Sequence, residues 1–474
     1  MTNAAPEFLA VSRDDWVRLA GSLGTSPNLT YDGLRIEPIY TRSNTAPLLA
    51  QAGKNKWGVR VLHAGADPQV VNTAITEDLA GGATSIALQL ATPGQFGLPP
   101  RYDAIAAALR GVPLDRVTVC FAAGDQYFGA AQCLMALWDE TGMRSIEMRG
   151  ALHADPLGTL TRTGALEAGL WPSLELLGRF VATNMEPMPD VRLLLADATP
   201  YHDAGASEAQ ELAAMLATVV EYLRVLDYER IEPSRVLATL SIKLATDNSL
   251  FEGIAKLRSA RELLSRVAEA CGAGGAADKV RLWATSSQRM LCRQAPHTNI
   301  LRNTIAALGA VVGGADDITV LPHNWASGTA NVEARRLARN THALLHDESG
   351  FARVADPAAG SGYVAALTHA FSERAWVLFQ EIEAEGGMAK ALLSGKVQCG
   401  IAETSARRQR NIAAGNIAIV GVTTFGAADE PAYSLLPHPP IAPIANAETR
   451  ISALPLRRLA EGFETDHPTT EAHQ

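Results

Sequence analysis

An adjacent phenol and imidazole, Tyr201 and His202, lie in the string DATPYHDAGASEAQELA that runs from Asp197 to Ala213. An imidazole beside a phenol can act as a general acid toward an acyl carbonyl oxygen, because it exchanges a proton near neutral pH. The same string also reads as a strand-to-helix turn, with His202 and Asp203 satisfying backbone groups at the helix start. Further polar residues fall where the sequence predicts strands to end or turn. These are His63, Gln89, Arg149, His153, Lys243, Ser286, Ser287 and His323. No metal site is expected. His342 and His346 are four apart on one predicted helix and lack a third ligand in view. GADDITV and AGSGY are rich in glycine but lack the spacing of a phosphate loop. SARRQRN and EARRLARN read as solvated or salt-bridging helix faces rather than as a nucleic-acid surface.

The elements that must position these residues alternate. Eight β-rich runs recur: GVRVLH from Gly58, SIALQL from Ser85, VTVCF from Val117, SIEMR from Ser145, VRLLLAD from Val191, VLATLSI from Val236, KVRLWATS from Lys279 and DITVLP from Asp317. Most are nearly continuous apolar runs, as strands buried on both faces should be. Segments with helical spacing separate them, several closing on Gly, which takes the left-handed conformation that ends a helix. This alternation predicts an α/β fold, a (β/α)8 TIM barrel with the active-site face at the strand C-termini. An extended N-terminal arm is expected over 1–56, the barrel over 57–330, a C-terminal helical extension of the barrel domain over 331–425 and a Pro-rich extended tail over 426–474.

Composition sets outer limits. The 474 residues are 47% hydrophobic, enough for one large domain or two. A net charge of −9 argues against nucleic acid and against an anionic membrane surface. The five cysteines are scattered without a CxxC pair, which points to a reducing, cytoplasmic setting without a disulfide framework. The first residues do not read as a signal peptide, and no apolar run is long enough to span a bilayer.

Four longer strings carry a resemblance: HTNILRNTIAALGAVVGGADD from His297, EARRLARNTHALLHDESGFARVADPAAGSGYV from Glu333, FQEIEAEGGMAKALLSG from Phe379 and ETSARRQRNIAAGN from Glu403. Together with DATPYHDAGASEAQELA they resemble the adenosylcobalamin-dependent acyl-CoA mutase family of methylmalonyl-CoA mutase. The resemblance covers nearly the whole chain. It implies that Tyr201 and His202 sit over a substrate thioester, with His202 donating to its carbonyl. Several family positions are replaced. Aligned on Trp57, the tyrosine that guards the radical falls on Ala52. The substrate-facing glutamine of GTIQND falls on His153 in GALHAD, and the carboxylate-binding arginine near Thr163, with Arg162 expected to point elsewhere. HCQTSG matches WATSSQ, which puts Trp283 and Thr285 at its polar positions. The acidic residue after the eighth strand falls on Trp325.

Resemblance and replacements together imply the small (β) subunit of such a mutase, a structural and stabilising partner of a homologous catalytic subunit. No catalytic residue is then assigned; Tyr201 and His202 are the candidates should the site be active. His153, Thr285 and Ser287 are the candidates for contact with an acyl-CoA. The Asp-x-His-x-x-Gly string that supplies the lower cobalt ligand is not found, so adenosylcobalamin is expected in the complex and not on this chain alone. Relatives lay the N-terminal arm across the other subunit, which implies dimer contacts by residues 1–56, to that subunit or to a second copy. The alternative is the substrate-binding subunit of a split mutase with cobalamin on another chain.

Overall fold

The computed structural model describes residues 11–21, 28–43, 57–144, 147–426, 438, 441, 444 and 446–464. Eight parallel strands close into a barrel. They are β1 (Gly58–His63), β2 (Ser85–Gln89), β3 (Thr118–Ala122), β4 (Gly150–Ala154), β5 (Val191–Asp197), β6 (Leu240–Thr246), β7 (Arg281–Ser286) and β8 (Asp317–Thr319). Neighbours pair in sequence order, and β8 closes onto β1. Helices pack outside the strands, as parallel crossovers require. Among the described residues no helix is long and apolar enough to cross a membrane.

Two strands differ from expectation. The fourth is GALHA rather than SIEMR. Residues 145 and 146 lie outside the described set, and Glu147 and Arg149 are exposed, whereas Gly150–Ala154 is buried throughout. Two charged side chains cannot alternate along a strand that is covered on both faces. His153 is therefore inside β4 rather than beyond it, and Arg149 lies at the opposite end of the barrel. The sixth strand begins at Leu240 rather than Val236. Pro233 opens a short helix, Pro233–Thr239, that takes up the first part of the run. Lys243 is consequently within β6.

The barrel axis is filled. Arg60, Trp283 and Asp317 alternate inward from β1, β7 and β8. Asp317 Oδ2 receives Arg60 at 3.1 Å and Arg281 at 2.7 Å. Above this ion cluster Trp283 lies among Ala87, Cys120 and Ala151, whose small side chains on β2, β3 and β4 leave room for an indole. Its Nε1 donates to Thr319 Oγ1 at 2.9 Å. Arg60 and Lys243 each approach the indole to 4.6 Å from its centroid, a favourable arrangement for a cation and a π face.

The described part of the N-terminal segment makes contacts with its own chain. Asp32 accepts from the Ser207 hydroxyl and from Ala209 N at the start of the Glu208–Tyr228 helix. Tyr31 lies under the Arg408 guanidinium at 3.9 Å, and Tyr40 packs on Tyr363. Arg408 in turn donates to the carbonyls of Gly205 and Ala206. Gly205 has φ +111, and a Cβ there would lie 2.6 Å from Ser405, so this turn requires glycine.

The filled axis predicts a large energetic response. Trp283→Ala should lower unfolding free energy by roughly 3–5 kcal/mol, the cost of emptying a buried aromatic position. Urea titration of both proteins measures this. A loss below about 1 kcal/mol would show that neighbouring side chains collapse into the space.

Candidate site at the mouth of the barrel

A cavity of about 280 Å3 lies above Trp283 at the C-terminal ends of the strands, where barrel loops converge. Its wall is set by strand parity. On β7, Trp283 and Thr285 face inward, and Ser287 follows two residues on. Gln89, His153, Asp197 and Lys243 face it from β2, β4, β5 and β6. His63 has the opposite parity to Leu62 and turns outward onto Asp78 at 3.4 Å. Burial, followed by Arg335 and Arg339, pushes its pKa down to about 3, so it stays neutral. His323 stacks on His297 instead of entering the cavity. His342 accepts from Trp57 Nε1, a structural contact rather than half of a metal pair.

The three residues proposed to touch a substrate, His153, Thr285 and Ser287, all line the cavity. His153 has φ +50 at an irregularity in the β4–β5 register and stacks on Trp283. A left-handed histidine within a strand is strained and persists only where its surroundings over-determine it. Burial, with Arg60 and Lys243, holds its pKa well below the ordinary value.

Arg162 was expected to point elsewhere, yet it faces the cavity. The helix Pro156–Thr163 starts directly after β4, capped by Asp155 on Gly158 N. Its spacing of three puts Thr159 and Arg162 on one face, toward the cavity. Arg162 binds Asp197 at 2.9 Å, and Lys243 binds the same carboxylate at 3.2 Å. Thr163, the position aligned with the carboxylate-binding arginine, instead donates to the Thr159 carbonyl. Asp155, Asp197, Asp203 and Gln288 also line the cavity, and motif reasoning did not single them out as site residues. Only their positions at strand ends and helix starts mark them in the sequence.

Tyr201 and His202 lie behind the wall. Tyr201 shares a hydrogen bond with Thr161 at 3.0 Å and is 1% exposed. His202 is fully buried, with Nδ1 3.1 Å from Glu211 Oε2 and Nε2 2.8 Å from Ser287 Oγ. His202 thus meets the cavity wall through Ser287. His202, Glu208 and Glu211 are close enough together to hold a metal ion. The Lys256 ammonium already binds both carboxylates and supplies the positive charge there. Arg289 binds Asp247 at 3.0 Å and the carbonyls of His202 and Ala206.

The segment 449–464 covers the mouth. Thr449–Arg450 pairs antiparallel with Ala165–Leu166. Leu454 N donates to Thr161 O, Arg457 N to Asp203 O and Leu459 N to Arg289 O. Leu454 and Leu456 line the cavity together with Ile441. At Trp325, Nε1 donates to Gln288 Oε1, and the ring packs on His438. Ala52, the remaining family position, lies outside the described residues.

Comparison with known proteins gives these contacts a context. The family model described as methylmalonyl-CoA mutase matches residues 37–458. The methylmalonyl-CoA mutase small subunit of Streptomyces virginiae is 40% identical, over 93% of this chain and 71% of its own length. The methylmalonyl-CoA mutase small subunit of Propionibacterium freudenreichii subsp. shermanii is 33% identical, over 84% of this chain and 63% of its own. The methylmalonyl-CoA mutase of Cereibacter sphaeroides is 27% identical, over 89% of this chain and 65% of its own. The chain thus spans between 63% and 71% of the length of these relatives.

One titration in the wall is open to measurement. Burial raises the Asp203 carboxyl to about 7, against the opposing pull of Arg289 and Lys243. A carboxyl whose folded pKa lies above its unfolded value binds more protons when folded. Its stabilising contribution is therefore full in acid and is lost as pH rises from about 4 to 7. Asp203→Asn, which removes that titration, should gain stability relative to the parent between pH 5 and pH 8, by on the order of 2–3 kcal/mol. Paired thermal melts across this range provide the check. A constant difference between the two proteins would place the Asp203 pKa in the usual carboxylate range.

Proposed function

The chain belongs to the methylmalonyl-CoA mutase family, and from that premise we propose that it serves as the small, non-catalytic subunit of a mutase complex. In this reading it stabilises a homologous catalytic subunit that interconverts methylmalonyl-CoA and succinyl-CoA in the cytoplasm. The observation that carries the reading is the filled axis, in which Trp283 sits between Arg60 and Lys243 above the Asp317 ion pairs. An acyl-CoA is larger than a typical drug-sized ligand, and such ligands fill roughly 300–1,000 Å3. The cavity above Trp283, about 280 Å3, lies at the bottom of that range, the size of a small ligand rather than of an acyl-CoA, and Leu454 and Leu456 line it. Higher identity to small subunits than to the Cereibacter sphaeroides mutase supports the same assignment.

Adenosylcobalamin supplies homolytic bond cleavage in this family, so its fit to the mouth bears on the proposal. The described residues do not fit it. Ile441, Leu454 and Leu456 place apolar side chains in the lining of the mouth. His438 is stacked on Phe96 and packs at a tilt against Trp325, with Nε2 turned to the Trp325 carbonyl. No step on this chain is assigned to the cofactor.

The test is turnover of a complex reconstituted with a catalytic subunit and adenosylcobalamin. Lys243→Ala removes the charged side chain between Asp197 and Trp283. It should leave methylmalonyl-CoA conversion within about threefold of the parent, because the reaction takes place on the other subunit. A loss of roughly a hundredfold with the complex intact would place chemistry in this barrel instead. Self-association of this chain without binding a catalytic subunit would also overturn the proposal.

A further inference from the structure

We propose that Ser287, His202 and Glu211 form a nucleophilic acyl-transfer unit that opens on the barrel-mouth cavity and accepts a short-chain carboxylic ester. The inference is independent of the subunit role, which makes no use of these three contacts.

The hydrogen bonds fix the direction of proton flow. Glu211 Oε1 accepts from Ala245 N at 2.9 Å, and Oε2 accepts from the Lys256 ammonium at 2.6 Å. Glu211 is thus held as an acceptor on both oxygens. His202 Nδ1, at 3.1 Å, must then be the protonated ring nitrogen. Nε2 is left with its lone pair toward Ser287 Oγ at 2.8 Å, and the serine hydroxyl donates to it. A nucleophile is within reach of a base, and the base is oriented by a buried carboxylate. That relation defines a hydroxyl-nucleophile site whatever the fold. Burial, Arg289 and Lys256 lower the His202 pKa well below its ordinary value, so the ring is neutral at rest and the buried Glu211 carboxylate must stabilise the imidazolium formed during reaction.

Two observations connect this unit to a ligand space. Ser287 continues the inward parity of Trp283 and Thr285, and it belongs to the cavity wall. Asp203, next to His202, lines the same cavity, and its Oδ1 is buried without a hydrogen-bond partner. In its protonated form, which burial favours up to about pH 7, this carboxyl can donate to a developing oxyanion. Gln288 Nε2, 3.3 Å from Asp203 Oδ2, lies beside it. Trp283 closes the floor, so both the acyl group and the leaving alcohol must be small and enter from the mouth.

In the reaction, Ser287 Oγ bonds to the ester carbonyl carbon as its proton passes to His202 Nε2. The tetrahedral adduct breaks its bond to the alkoxy oxygen, and the alcohol departs with the proton from Nε2. Water then adds to the acyl-serine and gives a proton to Nε2. Cleavage returns that proton to Ser287 and releases the carboxylic acid. The sum is ester plus water giving acid plus alcohol.

The experiment uses the full chain. Diisopropyl fluorophosphate should form a single adduct, which peptide mass spectrometry should place on Ser287. 4-Nitrophenyl acetate should be hydrolysed, and Ser287→Ala and His202→Gln should each lower the rate by roughly a hundredfold or more. Thermal melts report whether the variants fold. If a variant does not, the adduct map of the parent chain still decides the question. An unmodified Ser287, or hydrolysis unchanged in a folded Ser287→Ala, overturns the proposal. Neither result alters mutase turnover in the reconstituted complex, so this inference and the subunit role fail separately.

Discussion

Five acidic and basic side chains paired in the core, Glu208, Glu211, Asp247, Lys256 and Arg289, constrain everything built around them. Taking such groups out of water is costly, and the cost is offset only when each charge meets its partner with good geometry. The pairs join the Glu208–Tyr228 helix, the end of β6, the Leu250–Ala270 helix and the loop after β7. Shifting any one of these elements would strand a charge in a low-dielectric interior. The turn from Tyr201 to Ser207 is held by Arg289 of this set, which takes two of its carbonyls, and by Arg408, which takes carbonyls of Gly205 and Ala206. His202 is therefore fixed in orientation by groups that lie away from the cavity. Removing one partner is more damaging than replacing a whole pair with apolar residues, since an uncompensated charge is left buried.

A second constraint acts along the barrel axis. Side-chain volume inside a closed eight-stranded sheet is limited, and layers must fill it without voids. An indole on β7 is accommodated because β2, β3 and β4 present Ala87, Cys120 and Ala151 at the same level. Below it, two arginines share one aspartate, which leaves the layer with a positive balance beneath the indole face. Trp283 thus separates an ionic lower layer from the cavity above it.

Much of this architecture is legible in the chain. Apolar runs mark most of the strands, and the string around Tyr201 and His202 marks a strand-to-helix turn. Run length was misleading at two places. SIEMR resembles a strand by composition, but its Glu and Arg need solvent, and the less conspicuous GALHA is the segment that can be buried. VLATLSI is interrupted because Pro233 favours a helical start just ahead of it. Arg162 could not be oriented from alignment with relatives, since its direction depends on where a short helix begins after β4. The shielding of His202 was hidden for a different reason. It depends on contacts with Ser287 and Glu211, 85 and 9 residues away, which no local pattern encodes.

The antiparallel pairing of Thr449–Arg450 with Ala165–Leu166, and the backbone bonds from Leu454 to Thr161 and from Leu459 to Arg289, join parts of the chain far apart in sequence. Such contacts close large loops, and their entropic cost is recovered only when the docking surface already exists. During synthesis the strands that make this surface emerge before the segment that covers it. These long-range contacts predict that the cover over the cavity forms late in folding. A barrel still waiting for it exposes the apolar rim of its mouth to other chains, and that interval is when association with the wrong surface competes with closure.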